Sequence, residues 1–497
     1  MATNSGSAFT RRRVLQGLGA AAAIGPMRAF GKAAGKLPEF ANVIVMGAGF
    51  SGLNAAIQLA DVGAKVTVLE ASQRPGGRAW TGDDVEGRPE FGAEQIGPYY
   101  ARIKSMAERM GVNIIPGARR KAPFSLCIDD KLIAAKDWES SSLNHTVGVE
   151  RTLLPGALQG YYIGKHNPLT KVGSWLSPEA AKLDISLREW MSSLGASPAA
   201  LRLINDGLTY MDIAQLSTLR SLHDATRASI YVKNMKEDLS KLNKYQIAAL
   251  FSARVEGGTS RLPEAMAAHL GDAVRYQKVV TNISMNSTGV EVQCMDRTRY
   301  KADYLVSAIP FTSLRRIEMD PPLTGAQGKA LENLSYHNLI RAYFNVKGGS
   351  SPYYEQDGLE PSLWTNGAIN TIELYLDENA TDRHLVTSLV GPRARRVDQL
   401  SPANAKQFIQ QEIERIRPSL KGKLECTGFH SWAKTPFISG CSHTFKPGEV
   451  TEFAREMIVP HGRMHIAGEH TRRLEVGMEG AMESGDRVAL EIATAVS

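Results

Sequence analysis

The feature that most constrains this chain is a glycine-rich turn between two apolar runs. Residues 42–70 read NVIVMGAGFSGLNAAIQLADVGAKVTVLE. The apolar run at 43–46 predicts a buried parallel strand, and the small and apolar residues at 53–59 predict a helix. The β-branched residues at 65–69 predict a second strand. A strand, a tight turn, a helix and a second strand make a βαβ unit, so the chain is expected to have a doubly wound α/β fold.

The turn G-A-G-F-S-G has the spacing of a dinucleotide site. Gly47 allows the tight turn, Gly49 lets the backbone approach a pyrophosphate, and Gly52 lets the helix pack closely on the strand. The helix N-terminus, which includes Ser51, offers free N–H groups and a positive potential to the phosphates. Glu70 ends the second strand and can accept hydrogen bonds from a ribose hydroxyl. An acid at this position favours FAD or NAD over NADP.

The charge distribution argues against nucleic-acid binding. The formal net charge is +7, but residues 1–36 contain six basic residues and no acidic one, which leaves about +1 on the rest of the chain. A nearly neutral body gives no electrostatic reason to bind a phosphate backbone. No run of about eighteen apolar residues is present, so no transmembrane segment is expected.

The basic N-terminus predicts export. TRRRVLQGLGAAAAIG joins an arginine pair to a weakly hydrophobic Gly/Ala run and resembles a twin-arginine (Tat) signal. We therefore expect residues 1–36 to be a leader and the protein to be periplasmic, or cytoplasmic if the leader is not used. The alternative is a basic segment without an export function.

Cysteine and histidine spacing does not predict a metal site. The four cysteines are far apart and form no C-x-x-C pair, so neither a zinc site nor a dense disulfide framework is expected. The three histidines at 461, 465 and 470 lie in an apolar run and a loop, and we expect no metal ligand among them.

Four further motifs carry a resemblance. They are ASQRPGGRAWT (71–81), EFGAEQIGPYYARIKSMAERMGV (90–112), VEGGTSRLPEAMAAHL (255–270) and MHIAGEHTRRLEVGMEGAMESGDRVALEI (464–492). With them the chain resembles the flavin amine oxidase family, which includes monoamine, polyamine and L-amino acid oxidases. The resemblance covers nearly the whole chain after residue 40.

The resemblance implies a fold and a division into domains. The fold class is α/β, with a Rossmann-type FAD-binding domain of the p-hydroxybenzoate hydroxylase-like kind and an inserted α+β substrate domain. The FAD-binding domain is expected to comprise 37–120, 250–320 and 426–497. The substrate domain is expected to comprise 121–249 and 321–425.

The resemblance also implies which residues lie at the cofactor. In the monoamine oxidases the cysteine matching Cys441 is bonded to the flavin 8α carbon. Here Ser442 breaks the local match, so we favour a Cys441 that lines the flavin without a bond. Beyond the glycine turn and Glu70, the other residues expected at FAD are Gly77, Arg78, Ala93, Glu94, Val280, Gly468, Glu469, Gly477 and Met478.

Two residues are expected to take part in catalysis. Trp432 resembles the family's tryptophan near the flavin. Arg341 stands where many members have a lysine that is bridged by water to flavin N5. Arginine keeps the charge but not the geometry, so rapid reaction with oxygen is not expected, and the acceptor is O2 or a redox protein.

The family's reaction sets the expected substrate. A neutral amine transfers a hydride to flavin N5, and the imine is hydrolysed to an aldehyde and an amine. The two tyrosines that enclose the amine in monoamine oxidases are replaced by Ser442 and Gly477, which suits a bulkier or secondary amine. We expect a small-molecule secondary amine of nicotine-type alkaloid breakdown. A homodimer is left open.

Three alternatives follow from the same residues. One is an FAD-dependent C–C desaturase or oxidase of the protoporphyrinogen oxidase type, which amines would not reduce. Another is a flavin-binding protein without turnover. The third is an NAD dehydrogenase, which would be colourless.

Overall fold

A computed structural model gives the fold. It describes residues 41–117, 124–207, 210–235, 239–242, 244–347, 358–375 and 384–495. The leader predicted at 1–36 lies outside the described residues.

A five-stranded parallel sheet forms the base of the molecule. Its strands, in spatial order, are Met464–Ile466, Tyr304–Ser307, Asn42–Met46, Lys65–Leu69 and Val274–Arg275. They come from three well-separated parts of the chain. The sheet confirms both predicted strands of the βαβ unit and the Rossmann-type fold.

Two helices pack against each other on this sheet. The helix Phe50–Asp61 follows the glycine turn and is buried along most of its length, because its small and apolar residues pack on every side. The C-terminal helix Gly477–Ala495 lies against it, and together they enclose a core that includes Leu53 and Val488. The helices Ala101–Met110 and Arg261–Leu270 complete this layer.

A four-stranded sheet packs on the other side of the base. Its strand order is Arg299–Ala302, Val290–Cys294, Val280–Met285 and Glu318–Asp320. The short helix Phe311–Leu314 and the helix Gly325–Asn333 lie close to one another. Apolar residues of this region share a core with the five-stranded sheet.

A seven-stranded sheet forms the second lobe. Its strand order is Leu424–Ser431, Leu339–Val346, His384–Val390, Thr371–Tyr375, Leu363–Thr365, Ser125–Ile128 and Lys131–Ile133. The β-branched and aromatic residues of Leu339–Val346, Thr371–Tyr375 and His384–Val390 favour strands in this sheet. The strand that begins at Leu424 crosses the boundary predicted at 426 and pairs with Leu339–Val346. The helices Gly391–Val397 and Pro402–Ile416 cover one face.

A helical group completes the second lobe. Residues 176–250 are mainly helical where they are described. Its core includes Trp138, Trp190 and Leu222. The helices are Pro155–His166, Leu187–Ser193, Pro198–Asp206, Thr218–Lys233 and Lys244–Phe251.

A cavity of about 1270 Å³ lies between these parts. Met46 and Leu69, at the carboxyl ends of two parallel strands, line one side of it. Phe429 and Ser431, from the edge strand of the seven-stranded sheet, line another. Ligands of open α/β sheets bind at the carboxyl ends of the strands, so this space, which we call the central cavity, is the candidate ligand site.

Candidate active site

The glycine turn has the shape that a pyrophosphate requires. A Cβ atom on Gly52 would lie 2.0 Å from the carbonyl oxygen of Gly47, so that position cannot carry a side chain. A Cβ atom on Gly49 would meet nothing within 4 Å, because Gly49 faces open space. Gly49 is also the N-cap of the helix Phe50–Asp61. An anion placed in that space would face the free N–H groups of a helix N-terminus.

Glu70 is held at the end of its strand by backbone donors. Its Oε2 accepts a hydrogen bond from the N–H of Ala48 at 2.7 Å. Its Oε1 accepts from the N–H of Ser72 at 2.8 Å and from the Ser72 hydroxyl at 2.7 Å. These bonds fix the carboxylate on the cavity wall. A carboxylate can accept about four hydrogen bonds, so it retains capacity for a ribose hydroxyl.

Arg78 connects two distant parts of the wall. Gly76 and Gly77 adopt positive φ values of 101° and 56°, which turn the chain so that Arg78 reaches the cavity. The guanidinium of Arg78 donates to the carbonyl oxygen of Cys441. The motif after the second strand is therefore joined to the C-terminal cysteine segment.

Most residues predicted at the cofactor lie together. Val280 and Ala93 join the glycine turn, Glu70 and Arg78 on one continuous wall. Gly52 is not on the wall, because it packs against Gly47. Glu94 is not on the wall either. The remaining predicted residues that line the central cavity are Ser51, Gly77, Trp432, Cys441, Gly468, Glu469, Gly477 and Met478.

Trp432 belongs to an aromatic group that the sequence analysis did not identify. It is fully buried, and its Nε1 donates to the carbonyl oxygen of Phe91 at 2.8 Å. The His430 ring lies 4.6 Å from the rings of both Trp80 and Trp432, in edge-on geometry. Burial lowers the pKa of His430 to about 4, so its ring is neutral at pH 7. His430 and Trp432 are two residues apart, a strand spacing that could have indicated a common face.

Cys441 has the surroundings of an unreactive thiol. Its backbone N–H donates to the carbonyl oxygen of His337 at 2.9 Å. Burial raises the pKa of the Cys441 thiol to about 11. The thiol is therefore protonated at neutral pH, and thiolate is the reactive form.

His443 does not act on Cys441. Its Nδ1 lies 3.0 Å from Oε2 of Glu469. Burial lowers the pKa of His443 to about 4. Burial opposes ionisation of Glu469, yet the neighbouring His443, Arg472 and Arg78 together hold its pKa well below the ordinary value. The pair is therefore buried and fixed, with Glu469 on the cavity wall and His443 behind it.

Arg341 lies behind the cavity wall. Its Nη1 donates to the carbonyl oxygen of Glu90 at 2.6 Å and lies 3.4 Å from Oε2 of Glu94. It is not among the residues that line the central cavity. The structure thus places Arg341 next to Glu94, while its role in catalysis stays a prediction.

The far side of the cavity is lined by residues from the helical group. They are Tyr210, Arg220 and Asp224; Nη2 of Arg220 lies 3.3 Å from the Ser442 hydroxyl, and Tyr100, from another segment, lies beside Gly477. Tyr100 lies in the motif at 90–112, but no sequence motif marked Tyr210, Arg220 or Asp224, because their shared position depends on packing between segments that are far apart in the chain.

The described residues contain no group of three or more histidine, cysteine, aspartate or glutamate side chains arranged to hold a metal ion. In the same part of the chain, no helix has the length and apolar character needed to cross a membrane.

The wall fits FAD on structural grounds. The open space at Gly49, the anchored Glu70 and the long continuous cavity match a phosphate site, a ribose site and room for an extended dinucleotide.

Comparisons with known proteins give a consistent result. The sequence model of the family described as flavin containing amine oxidoreductase matches residues 50–493. The flavin-containing amine oxidase of Danio rerio is 26% identical over 475 residues, which cover 92% of this chain and 86% of that protein. The L-amino-acid oxidase of Vipera ammodytes ammodytes is 25% identical, with 91% of this chain and 92% of that protein covered.

Solved structures share the fold. A putrescine oxidase bound to putrescine superposes with a TM-score of 0.73 at 22% identity, covering 92% of this chain and 99% of that one. The cyclohexylamine oxidase of Brevibacterium oxydans gives a TM-score of 0.71 at 19% identity, with the same coverage.

Proposed function

This chain belongs to the flavin-containing amine oxidoreductase family, and we propose that within it the substrate is a secondary amine of the nicotine-alkaloid type. The protein is an FAD-dependent amine oxidoreductase. The finer assignment is a methylamine joined by a short chain to a pyridyl ketone, as in pseudooxynicotine, with an aldehyde and methylamine as products.

FAD, when bound, supplies the two-electron acceptor for oxidation of the C–N bond. The residues that we propose hold it are those that line the central cavity and match the family's motifs. Gly49 and the helix start after it face the pyrophosphate, and Glu70 accepts from the adenosine ribose. Arg78 and Met478 stand at the flavin end. Arg78 also keeps the Cys441 segment in place through its bond to the carbonyl oxygen.

The protein favours the neutral amine by its environment. A free alkylamine has a pKa of roughly 10, near that of lysine, so the reactive neutral form must be selected. The aromatic rings of Trp80, Trp432 and Tyr210 give the cavity an apolar wall, and an apolar wall disfavours an ammonium ion. The neutral His430 adds no charge. Desolvation therefore favours the neutral amine, so the protein needs no base to deprotonate it.

The observation that carries the secondary-amine proposal is the small size of two wall residues. Ser442 and Gly477 line the cavity where a bulky side chain would narrow it. Gly477 adopts a φ of 56°, which side chains rarely adopt. Because Tyr100 lies beside Gly477, the small side chain of Ser442 is the stronger support for space beside an N-methyl group.

An anaerobic screen of amines tests this proposal. Purified FAD-loaded protein is mixed with primary, secondary and tertiary amines that share one aryl-alkyl body, and flavin absorbance is followed. We expect rapid bleaching by the N-methyl secondary amine and slower bleaching by the primary amine. Preference for the primary amine would overturn the substrate assignment, and no bleaching by any amine would overturn amine turnover itself.

We further propose that the protein is exported folded, with its FAD, to the periplasm. The support is the twin-arginine pattern at 11–15. Replacing Arg11 and Arg12 by lysine is expected to leave the protein in the cytoplasm, as measured by fractionation. An unchanged distribution would contradict export by this route.

A further inference from the structure

We propose that Tyr210 determines substrate specificity by donating a hydrogen bond to an uncharged acceptor on the part of the substrate that carries no amine. The acceptor is a ketone oxygen or a pyridine-type nitrogen. This inference rests on the proposed amine oxidation and adds which chemical group the cavity recognises besides the amine.

Tyr210 faces the cavity with an unused donor. It lines the central cavity, and 39% of its surface is accessible. Burial nevertheless raises its pKa. Both hold for a side chain on a cavity wall, which can be partly accessible and still be closely surrounded by protein atoms. Its hydroxyl has no hydrogen-bond partner among the described residues, and a protonated phenol is both donor and acceptor.

The ring is anchored on one side by His337. The two rings stack with centroids 4.2 Å apart and an angle of 24°. The backbone N–H of His337 donates to the carbonyl oxygen of Ser442 at 3.0 Å, and its carbonyl oxygen accepts from the N–H of Cys441. Tyr210 is therefore fixed relative to the Cys441–Ser442 wall, so its hydroxyl is preorganised for a ligand.

Arg220 makes this end of the cavity rich in donors. Its guanidinium carbon lies 5.2 Å from the centre of the Tyr210 ring, and its Nη2 lies 3.3 Å from the Ser442 hydroxyl. It also donates to the carbonyl oxygen of His443. A guanidinium this well held repels an ammonium group and attracts the negative end of a carbonyl dipole.

The nearby acid does not reverse this preference. Asp224 lies 3.0 Å from Nη1 of Arg472 and 3.9 Å from Nε of Arg220. Its charge is thus compensated by two arginines. We conclude that this end of the cavity selects an acceptor and directs the amine away from Arg220.

The proposal is tested by measuring two enzymes with the same set of substrates. Wild type and Tyr210→Phe are each reduced anaerobically by a methylaminobutyl aryl ketone and by the matching arene without the ketone oxygen. Each of the two compounds is used with a pyridyl and with a phenyl ring. The four compounds together show whether Tyr210 binds the ketone oxygen or the ring nitrogen. For compounds with the recognised acceptor, Tyr210→Phe is expected to lower the ratio of reduction rate to dissociation constant about five- to tenfold. The compounds without it should react equally with both enzymes.

Equal losses with all compounds, or no loss with any, would overturn the proposal. Tyr161→Phe is the matched control, because Tyr161 is not among the residues lining the central cavity and its hydroxyl lies near Lys165. It is expected to change none of the ratios.

A ligand without an amine separates this inference from the proposed function. Binding of an alkyl aryl ketone or an alkylpyridine is followed by its effect on flavin absorbance and needs no turnover. Tyr210→Phe is expected to weaken binding of the recognised ligand by a similar factor. Unchanged binding would overturn the role of Tyr210, whereas failure of every amine to bleach the flavin would overturn only the amine oxidation.

Discussion

The hydroxyl oxygen of Tyr100 lies 3.2 Å from the point that a Cβ atom on residue 477 would occupy, and Gly477 has a φ of +56°. Both facts require glycine at this position. The cavity wall beside the start of the C-terminal helix is formed by Tyr100, which comes from a segment more than three hundred residues earlier in the chain.

Replacing Gly477 by alanine is expected to destabilise the protein for two separable reasons. The left-handed conformation costs a residue with a Cβ atom about 1–2 kcal/mol, and the contact with Tyr100 adds to that cost. Urea unfolding of the FAD-loaded protein measures the sum. Gly325→Ala is the matched control, because Gly325 also starts a helix at a φ of +57° but has nothing within 4 Å of its Cβ position. Equal losses in the two variants would show that Tyr100 does not contribute.

The buried carboxyl of Glu90 is expected to make the stability difference between wild type and Glu90→Gln depend on pH. Burial raises its pKa from 4.5 to about 7, despite hydrogen bonds from the Thr259 N–H and the Thr81 hydroxyl. A raised folded-state pKa stabilises the fold below pH 4.5, and that contribution is lost as pH rises through 7. Glu90→Gln removes the buried charge, so its stability relative to wild type should rise between pH 4.5 and 7 and then level off.

Between pH 4.5 and 7, the free energy of unfolding of Glu90→Gln relative to wild type is expected to change by at most about 3 kcal/mol. Urea unfolding at a series of pH values measures this change. Glu108→Gln is the control, because Glu108 is exposed on the helix Ala101–Met110. A difference between Glu90→Gln and wild type that does not change with pH would show that the carboxyl does not titrate in this interval.

The sequence was most informative where the structure is local. The strand Asn42–Met46, the turn at Gly49 and the acid Glu70 lie within thirty residues, so their spacing alone specifies their geometry. The contact between Arg78 and Cys441 is distant in sequence, and only the family resemblance placed both near the cofactor.

The substrate side could not be predicted in the same way. Tyr210 faces the cavity because segments that are far apart in the chain pack there, and it lies in no spacing pattern. Tyr100 lies in the motif at 90–112, but the motif does not indicate its contact with the start of the C-terminal helix. For Arg341, the sequence indicated where the residue lies but not what its side chain contacts. The resemblance places it at the family's lysine position near flavin N5, but its side chain turns to Glu90 and Glu94, which the resemblance does not reveal.

Cys441 is expected to leave FAD unattached. Burial raises its thiol pKa to about 11, and a protonated thiol is a poor nucleophile for the flavin methyl carbon. Precipitation with acid should therefore release the yellow colour to the supernatant, and Cys441→Ser should hold as much FAD as wild type. A yellow pellet from wild type, together with a colourless pellet from Cys441→Ser, would establish a covalent bond.

From the position of the Arg341 guanidinium we expect the reduced protein to react slowly with oxygen. Reduction of oxygen develops negative charge, which a positive group beside flavin N5, such as the lysine of many family members, would stabilise. The Arg341 guanidinium is instead bonded to the Glu90 carbonyl oxygen behind the wall. Stopped-flow mixing of the reduced protein with air-saturated buffer should give slow reoxidation, and Arg341→Lys should change the rate less than about tenfold, or 1.4 kcal/mol. Rapid reoxidation in wild type would contradict this prediction.

Glu70 is expected to contribute to the affinity for FAD through the adenosine half of the cofactor. Its carboxylate is held by the N–H groups of Ala48 and Ser72 and faces the cavity, so it needs no reorganisation to accept from a ribose. Hydrogen bonds to charged groups contribute about 1.5–3 kcal/mol, so Glu70→Ala should weaken FAD binding by roughly 10- to 150-fold. Fluorescence titration of the apoprotein measures this, and Glu70→Gln, which keeps one acceptor oxygen, should lose less. FMN is the control ligand because it lacks the adenosine half. If Glu70→Ala weakened FMN and FAD equally, the loss would arise from disorder of the 48–72 region and not from a lost ribose contact.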